Sequence, residues 1–457
     1  MHAKNPTTPI RRALLATLSA IALCGLAAGP AGAQSLEEAL AAAYQTNPVL
    51  EAQRAQLRAT DELVPQARSG YLPSLEASGD VGRVRTEQSG QVGVVTPRNV
   101  DINLTQPIYR GGRTAAGVSR AENLVQSQRA SLVAAEQDVL LDAATAYFNV
   151  VRDQAVLDLN VNNEQVLRRQ LEAAQDRFRV GEITRTDVSQ AESRLARATA
   201  DRILAEGVLN ASRAEYARLV GDVPGKLKQP VPTIALPNTL DETVGLSVDN
   251  NPSVIAARFA EAAARDGVDV ARGQLLPSVS VVGNVGRSWD QTRQDSVTDS
   301  ASVIARVTVP IYQAGAATSQ VREAKQTVSQ RRSQSESQTR AAREAGIRAW
   351  EALVTARASI LALQSQVRSA EIALEGVRQE ATVGSRTVLD VLDAEQELLN
   401  ARVQLVRSQR DELVAAFQVL AATGQLTAGR LGLPVRSYDY EANYRDVRNK
   451  LWGTSID

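Results

Sequence analysis

Asp390 and Asp393 are the residues whose type and spacing first suggest chemistry. Separated by three positions on a helix, they share one face a turn apart. Three roles fit such a pair. It could act as general acid and base, although no nucleophile or oxyanion donor lies nearby in the sequence. It could be two solvated carboxylates near a helix start, where they favour the dipole. Repeated around a narrow aqueous pore, it would form rings of charge that admit cations and repel anions.

The composition weighs against the first role. The only His, Cys and Met are His2, Cys24 and Met1, all within the first 33 residues. Those residues read as a secretory signal, with Lys4, Arg11 and Arg12 ahead of an apolar run from Ala13 to Ala28. Ala31-Gly32-Ala33 supplies small residues for cleavage before Gln34. Lipidation at Cys24 is disfavoured, because Leu23 stands where a small residue is wanted. The expected mature chain therefore has no disulfide framework, thiol nucleophile, histidine base or zinc site, and no cofactor is expected. An enzyme is not expected. Cleavage leaves 48 basic against 51 acidic residues, which gives no electrostatic reason to bind nucleic acid. No later stretch is long and apolar enough for a spanning helix.

The elements that must position the aspartates are written twice. Asn47-Pro48 returns as Asn251-Pro252, and Leu72-Pro73-Ser74 as Leu276-Pro277-Ser278. Gln106-Pro107-Ile108-Tyr109 returns as Val309-Pro310-Ile311-Tyr312, and Val180-Gly181 as Val383-Gly384. The repeat is too long for a solenoid unit and reads as a duplicated domain. The expected organisation is a signal over 1–33, a first repeat over 34–228 and a connector over 229–238 containing Pro230, Pro232 and Pro237. A second repeat follows over 239–430, and a tail over 431–457 has no counterpart between the copies.

Each repeat reads as helix, β-hairpin, long helix, sharp turn and long helix. Asn47 and Asn251 are good N-caps and the prolines suit the first helical position. A kink is expected at Pro65. Leu75, Ala77 and Val81, then Val100, Ile102 and Leu104, alternate with polar residues as strands do. Val279, Val281 and Val285, then Val303, Val307 and Val309, repeat this. The polar, glycine-rich segment from Thr86 to Arg98 reads as a loop. Pro107 and Gly112, and Pro310 and Gly315, mark the strand-to-helix transitions. The helices expected from Arg113 to Phe178 and from Ala316 to Ala381 carry heptad seams. Val125, Leu132, Val139 and Ala146 form one; Val328, Ser335, Ala342, Ala349, Ala356 and Leu363 lie in the other. Return helices end at Gly221 and Gly424.

Four strands cannot close a barrel and would leave exposed edges. They are long enough to cross a bilayer when tilted. Three chains sharing one barrel would supply twelve strands, and the paired helices would continue it as a periplasmic tube. Val100, Ile102, Leu104, Val303, Val307 and Val309 would then face lipid, with Asp101, Asn103, Arg306 and Thr308 facing the lumen. The alternative is a periplasmic adaptor or coiled-coil rod with two β decorations.

The duplicated Asn-Pro starts, the Pro-Ile-Tyr-x-x-Gly strand exits and the run Val383-Gly384-Ser385-Arg386-Thr387-Val388-Leu389-Asp390-Val391-Leu392-Asp393-Ala394 resemble the TolC family of outer-membrane exit ducts. The resemblance covers essentially the whole mature length. It implies a mainly α fold with β: a homotrimeric, twelve-stranded transmembrane barrel continued by a coiled-coil periplasmic tunnel and an equatorial belt. It implies no catalysis. It also implies outer-membrane lipid, a periplasmic adaptor and an inner-membrane ABC or RND transporter as partners, with protein secretion or small-molecule efflux as the task. The tail, from Leu431 through Tyr438, Tyr444 and Trp452, resembles the type I secretion branch. By resemblance Asp390 and Asp393 line the periplasmic constriction, and the tips Val180, Gly181, Val383 and Gly384 meet the adaptor. An Arg386–Asp187 salt bridge is the expected latch. Ala381 stands where a tyrosine would add a further link.

Overall fold

The computed structural model describes residues 34–89, 91–228 and 235–455. The expected signal, including Cys24, and the connector prolines Pro230 and Pro232 lie outside the described residues. Helix α1 (Leu36–Thr46) is opened by a capping box between Ser35 and Glu38. Helix α2 (Pro48–Asp61) gives way to the short α3 (Leu63–Arg68) at Glu62. The break falls just before Pro65, which has no N–H to continue the ladder. In the second half α6 (Leu240–Asp249) and α7 (Pro252–Arg272) occupy the matching positions.

Asn47 and Asn251 do more than cap. Each accepts from the N–H two residues on, at 2.9 Å (Val49) and 3.0 Å (Ser253). Their amides also donate to the Leu219 and Ala422 carbonyls at 3.1 and 3.3 Å. Each Asn-Pro thus joins the start of one helix to the end of a distant one.

Strands β1 (Ser74–Val81), β4 (Arg98–Arg110), β5 (Ser278–Trp289) and β6 (Val297–Thr308) form one antiparallel sheet in the order β1-β4-β5-β6. The two repeats therefore meet at the β4–β5 pair. Strand β4 runs past Pro107, three residues beyond the expected exit, through a bulge between Pro107 and Tyr109. Pairing with β1 ends at Thr105, so no ladder bond is lost at the proline. Thr86 to Arg98 is not an open loop. Strands β2 (Val84–Gln88) and β3 (Gln91–Val95) pair there as a separate hairpin, because Val84 and Val95, and Val92 and Val94, supply strand formers amid the polar residues.

Helices α4 (Arg113–Arg179) and α8 (Ala316–Thr382) each span 67 residues, about 100 Å at 1.5 Å per residue. They begin at Gly112 and Gly315, both in the left-handed region. Return helices α5 (Arg185–Val220) and α9 (Val388–Ala422) pack against them as two long hairpins. The heptad seams are real: Val125, Leu132, Val139 and Ala146 are buried, as are Ser335, Ala342, Ala349 and Ala356. Among the described residues, no helix is long and apolar enough to cross a membrane.

The scarce large side chains concentrate where α1, α4, α5 and α9 converge. Tyr147, Phe148, Tyr216 and Phe417 pack there edge-on or tilted, with Phe148 and Phe417 centroids 5.4 Å apart. The tail docks beside this core, ending in α10 (Ala442–Val447). Arg54 lies between the rings of Tyr44 and Tyr438, at 4.9 and 5.3 Å from their centroids. Asn443 donates to buried Asp61 at 2.8 Å.

Candidate functional site

The sheet has two chemically distinct faces. Cross-strand rows alternate with the pleat. One row holds Leu75, Leu104, Gly283 and Val303; the next on that face holds Ala77, Ile102, Val285 and Ala301. The row between them holds Glu76, Asn103, Asn284 and Ser302. Val100, Ile102 and Leu104 are exposed, whereas Asn99, Asp101 and Asn103 are half-buried on the other face. Polar side chains bond laterally there: Asn284 donates to Asn103 at 2.9 Å and Asn99 to Asp80 at 2.8 Å. Among the described residues, both edges, β1 and β6, are unpaired. An outer face apolar over these central rows, with the Arg287–Asp299 pair on it nearer the β5–β6 turn, a polar row between them and two open edges fit this sheet to an arc of a membrane barrel wall.

At the far end the two hairpin tips are built alike. Val180 and Val383 end α4 and α8, and Gly181 and Gly384 follow at φ of 83° and 80°. The Glu182 N–H donates to the Arg177 carbonyl at 2.9 Å, and Ser385 to Glu380 at 3.0 Å. These left-handed glycines satisfy the last helical carbonyls. They leave Val180 and Val383 72% and 80% exposed, apolar side chains held out at the tips.

Thr184 and Thr387 then cap α5 and α9. Asp187 and Asp390 complete the capping boxes, each taking the cap residue's N–H at 2.9 Å and its hydroxyl at 2.8 Å. These bonds from Thr387 hold the Asp390 carboxyl below the ordinary carboxylate value, with a smaller contribution from Arg386. The expected Arg386–Asp187 pair is not formed within the chain. Arg386 reaches Glu380 at 2.9 Å, while Asp187 is engaged by its own cap. Both local contacts are shorter in sequence and need no approach of the two hairpins.

Asp393 has a partner that sequence reasoning missed. Arg194 of α5 donates to it at 2.5 Å, from the other repeat. Beneath them Leu167, Ala198 and Leu392 are buried together, with Leu195 and Val388 packed against them. The structure therefore brings the tip of the first hairpin to the start of α9. Within the hairpins, Glu164 of α4 binds Arg202 of α5 at 2.7 Å, and Glu371 of α8 binds Arg402 of α9 at 2.7 Å. Alternation of Arg with Glu along facing helices was the available signal for these pairs.

A barrel-wall sheet carried on helical hairpins of this length defines an outer-membrane channel with a periplasmic tunnel. The outer membrane efflux protein family matches the chain twice, over residues 39–222 and 244–425, and the chain belongs to that family. Outer membrane efflux protein BepC of Brucella suis biovar 1 is 33% identical over 422 residues, covering 92% of each chain. Proteases secretion protein PrtF of Dickeya chrysanthemi is 27% identical over 438 residues, covering 91% of this chain and 93% of PrtF. The crystal structure of the Campylobacter jejuni CmeC outer membrane channel superimposes with a TM-score of 0.78 at 18% identity, covering 91% of this chain and 89% of that one. The chain is thus an outer-membrane exit duct of the TolC type, extending into the periplasm.

Proposed function

We propose that three copies close one twelve-stranded barrel and form a passive duct, gated at its periplasmic end and opened when an adaptor docks. The observation that carries this reading is the four-stranded sheet, apolar over the central rows of one face and polar on the other, with both edges open. Joining β6 of one copy to β1 of the next would remove every edge. The hairpins would then form the tunnel, with Val180, Gly181, Val383 and Gly384 offered to the adaptor and Asp390 and Asp393 at the constriction. Exposed and locally paired, Arg386 and Asp187 are free to exchange partners and remain candidates for a link between neighbouring copies. An ABC or RND transporter in the inner membrane would supply cargo. BepC by its name serves efflux and PrtF protease secretion, so the duct suits either supply. The adaptor alternative lacks a use for membrane-length strands.

Planar-bilayer recording of the detergent-extracted protein, beside its mass by cross-linking, tests this. Small cation-selective steps from a trimer are expected. A folded protein that never conducts would return the chain to the adaptor reading.

A further inference from the structure

The two repeats differ at several positions near the tips, and two of those differences face each other. Where the second repeat carries Asp393, the first carries Gln190; where the first carries Arg194, the second carries Glu397. The two unmatched charges meet each other. Among the described residues, Arg194–Asp393 is the only ion pair joining the α4–α5 hairpin to the α8–α9 hairpin. It lies over the one apolar cluster shared by those tips, in which Leu392 packs with Leu167 and Ala198.

We propose that Arg194 is a gate residue: it holds the start of α9 against α5 when the duct is closed, and it masks the Asp393 carboxylate. The inference rests on the exit-duct reading. Separating the hairpins breaks the pair, uncovers Leu392 and frees Asp393 to add its charge to the pore. The half-exposed geometry sets the scale. Such a pair biases closure by up to about five-fold per copy, and three copies moving together by on the order of a hundredfold. That is enough to close the duct at rest and little enough for a docking partner to reverse. Asp393 therefore contributes to cation preference mainly in the open state, whereas Asp390 carries its charge in both.

The test is resting conductance of the full-length protein in planar bilayers for Arg194→Gln, Arg194→Lys, Asp393→Asn and the exchange Arg194→Asp with Asp393→Arg. Arg194→Gln and Asp393→Asn, each removing the pair from all three copies, should raise the open-to-closed ratio by up to on the order of a hundredfold. Arg194→Lys and the exchange should restore closure to within about twofold of wild type, which a purely structural role for Arg194 would not produce. Channels whose resting behaviour ignores residue 194, or an exchange no tighter than the single changes, would overturn the pair while leaving the duct intact. Absence of channels from wild type and variants alike would overturn the duct reading and this proposal with it.

Discussion

Gly111 and Gly273 touch backbone to backbone. A Cβ on Gly111 would come within 2.3 Å of the Gly273 carbonyl oxygen, and one on Gly273 within 2.6 Å of the Gly111 oxygen. This contact seats the end of β4 against the end of α7, where first-repeat sheet meets second-repeat helix. Neighbouring Gly112 has a similar backbone, at φ of 76° against 63°, but open space around it. The two positions separate strain from clash. Gly112→Ala should cost about 1 kcal/mol, from the left-handed backbone alone. Gly111→Ala adds a collision with fixed backbone and should cost at least about 2 kcal/mol more. Thermal unfolding in detergent checks this; equal losses would mean that the backbones part freely.

Glu136 ties the tail to α4. Buried mid-helix, its carboxylate accepts the Ala428 N–H at 2.8 Å and the Tyr440 hydroxyl at 3.2 Å. Burial pushes its pKa above the ordinary 4.5, although both bonds oppose the shift. A carboxyl raised in the folded state gives a stability contribution that is complete below the unfolded value. That contribution is lost as pH rises through the folded one. The tail should therefore dock more firmly near pH 5 than at pH 7.5. Asp61, Asp138 and Asp142 are raised by the same burial, so the wild-type trend is a sum. The difference between wild type and Glu136→Gln, read by proteolysis of the tail at both pH values, isolates residue 136. Glu136→Ala strands both donors and should cost about 1–3 kcal/mol.

The long helices were legible because two independent signals agreed on them. Glycine at Gly112 and Gly315 and at Gly181 and Gly384 bounded them, and the heptads filled them. Observed ends fall within a residue of those expected. The β2–β3 hairpin was not legible, since its valines sit among glycines and charges typical of loops. Asp390 stood out by its spacing from Asp393, but its cap to Thr387 and the pore role proposed for it draw on the same carboxylate. The Arg194–Asp393 pair depends on which hairpin faces which, a tertiary relation made by Leu392 packing against Leu167 and Ala198 of the other repeat. The repeat alone does not single the pair out: it differs at Gln190 against Asp393 and at Arg194 against Glu397, but also at Ile183 against Arg386 and at Arg185 against Val388.

Asn47 should resist replacement by residues that cap equally well. Ser or Asp would keep the bond to the Val49 N–H. An Asp carboxylate has no donor for the Leu219 carbonyl, and the single, shorter Ser hydroxyl does not span both partners as the two-headed Asn47 amide does. At 5% exposure no water readily substitutes. Asn47→Ser should lose about 1 kcal/mol, and Asn47→Asp about 2 kcal/mol or more, because a carboxylate would face a carbonyl oxygen. The matching bond from Asn251 is longer, at 3.3 Å, and that side chain is less buried. Asn251→Ser should therefore cost less. Urea unfolding of the four proteins gives the order directly, and a larger loss at Asn251 would contradict it.

Asp390 needs a variant that separates its charge from its cap. Asp390→Ala removes both, so lost selectivity could follow from a frayed α9. Asp390→Asn keeps an oxygen for the Thr387 N–H and removes only the charge. If the carboxylate acts electrostatically, Asp390→Asn should weaken cation preference as much as Asp390→Ala, with unaltered helix content. If it acts through the cap, Thr387→Ala should reproduce the effect of Asp390→Ala and Asp390→Asn should not. The pH dependence runs with the charge. The Asp390 carboxyl is lowered below 3.8 by its bonds to Thr387, so its contribution to α9 is present above that value. It is lost only as pH falls through the lower folded value. Cation preference carried by this residue should accordingly persist through mildly acidic solution, and reversal potentials recorded between pH 7 and pH 5 should coincide. A preference already fading at pH 5 would assign the selecting charge to a different carboxylate.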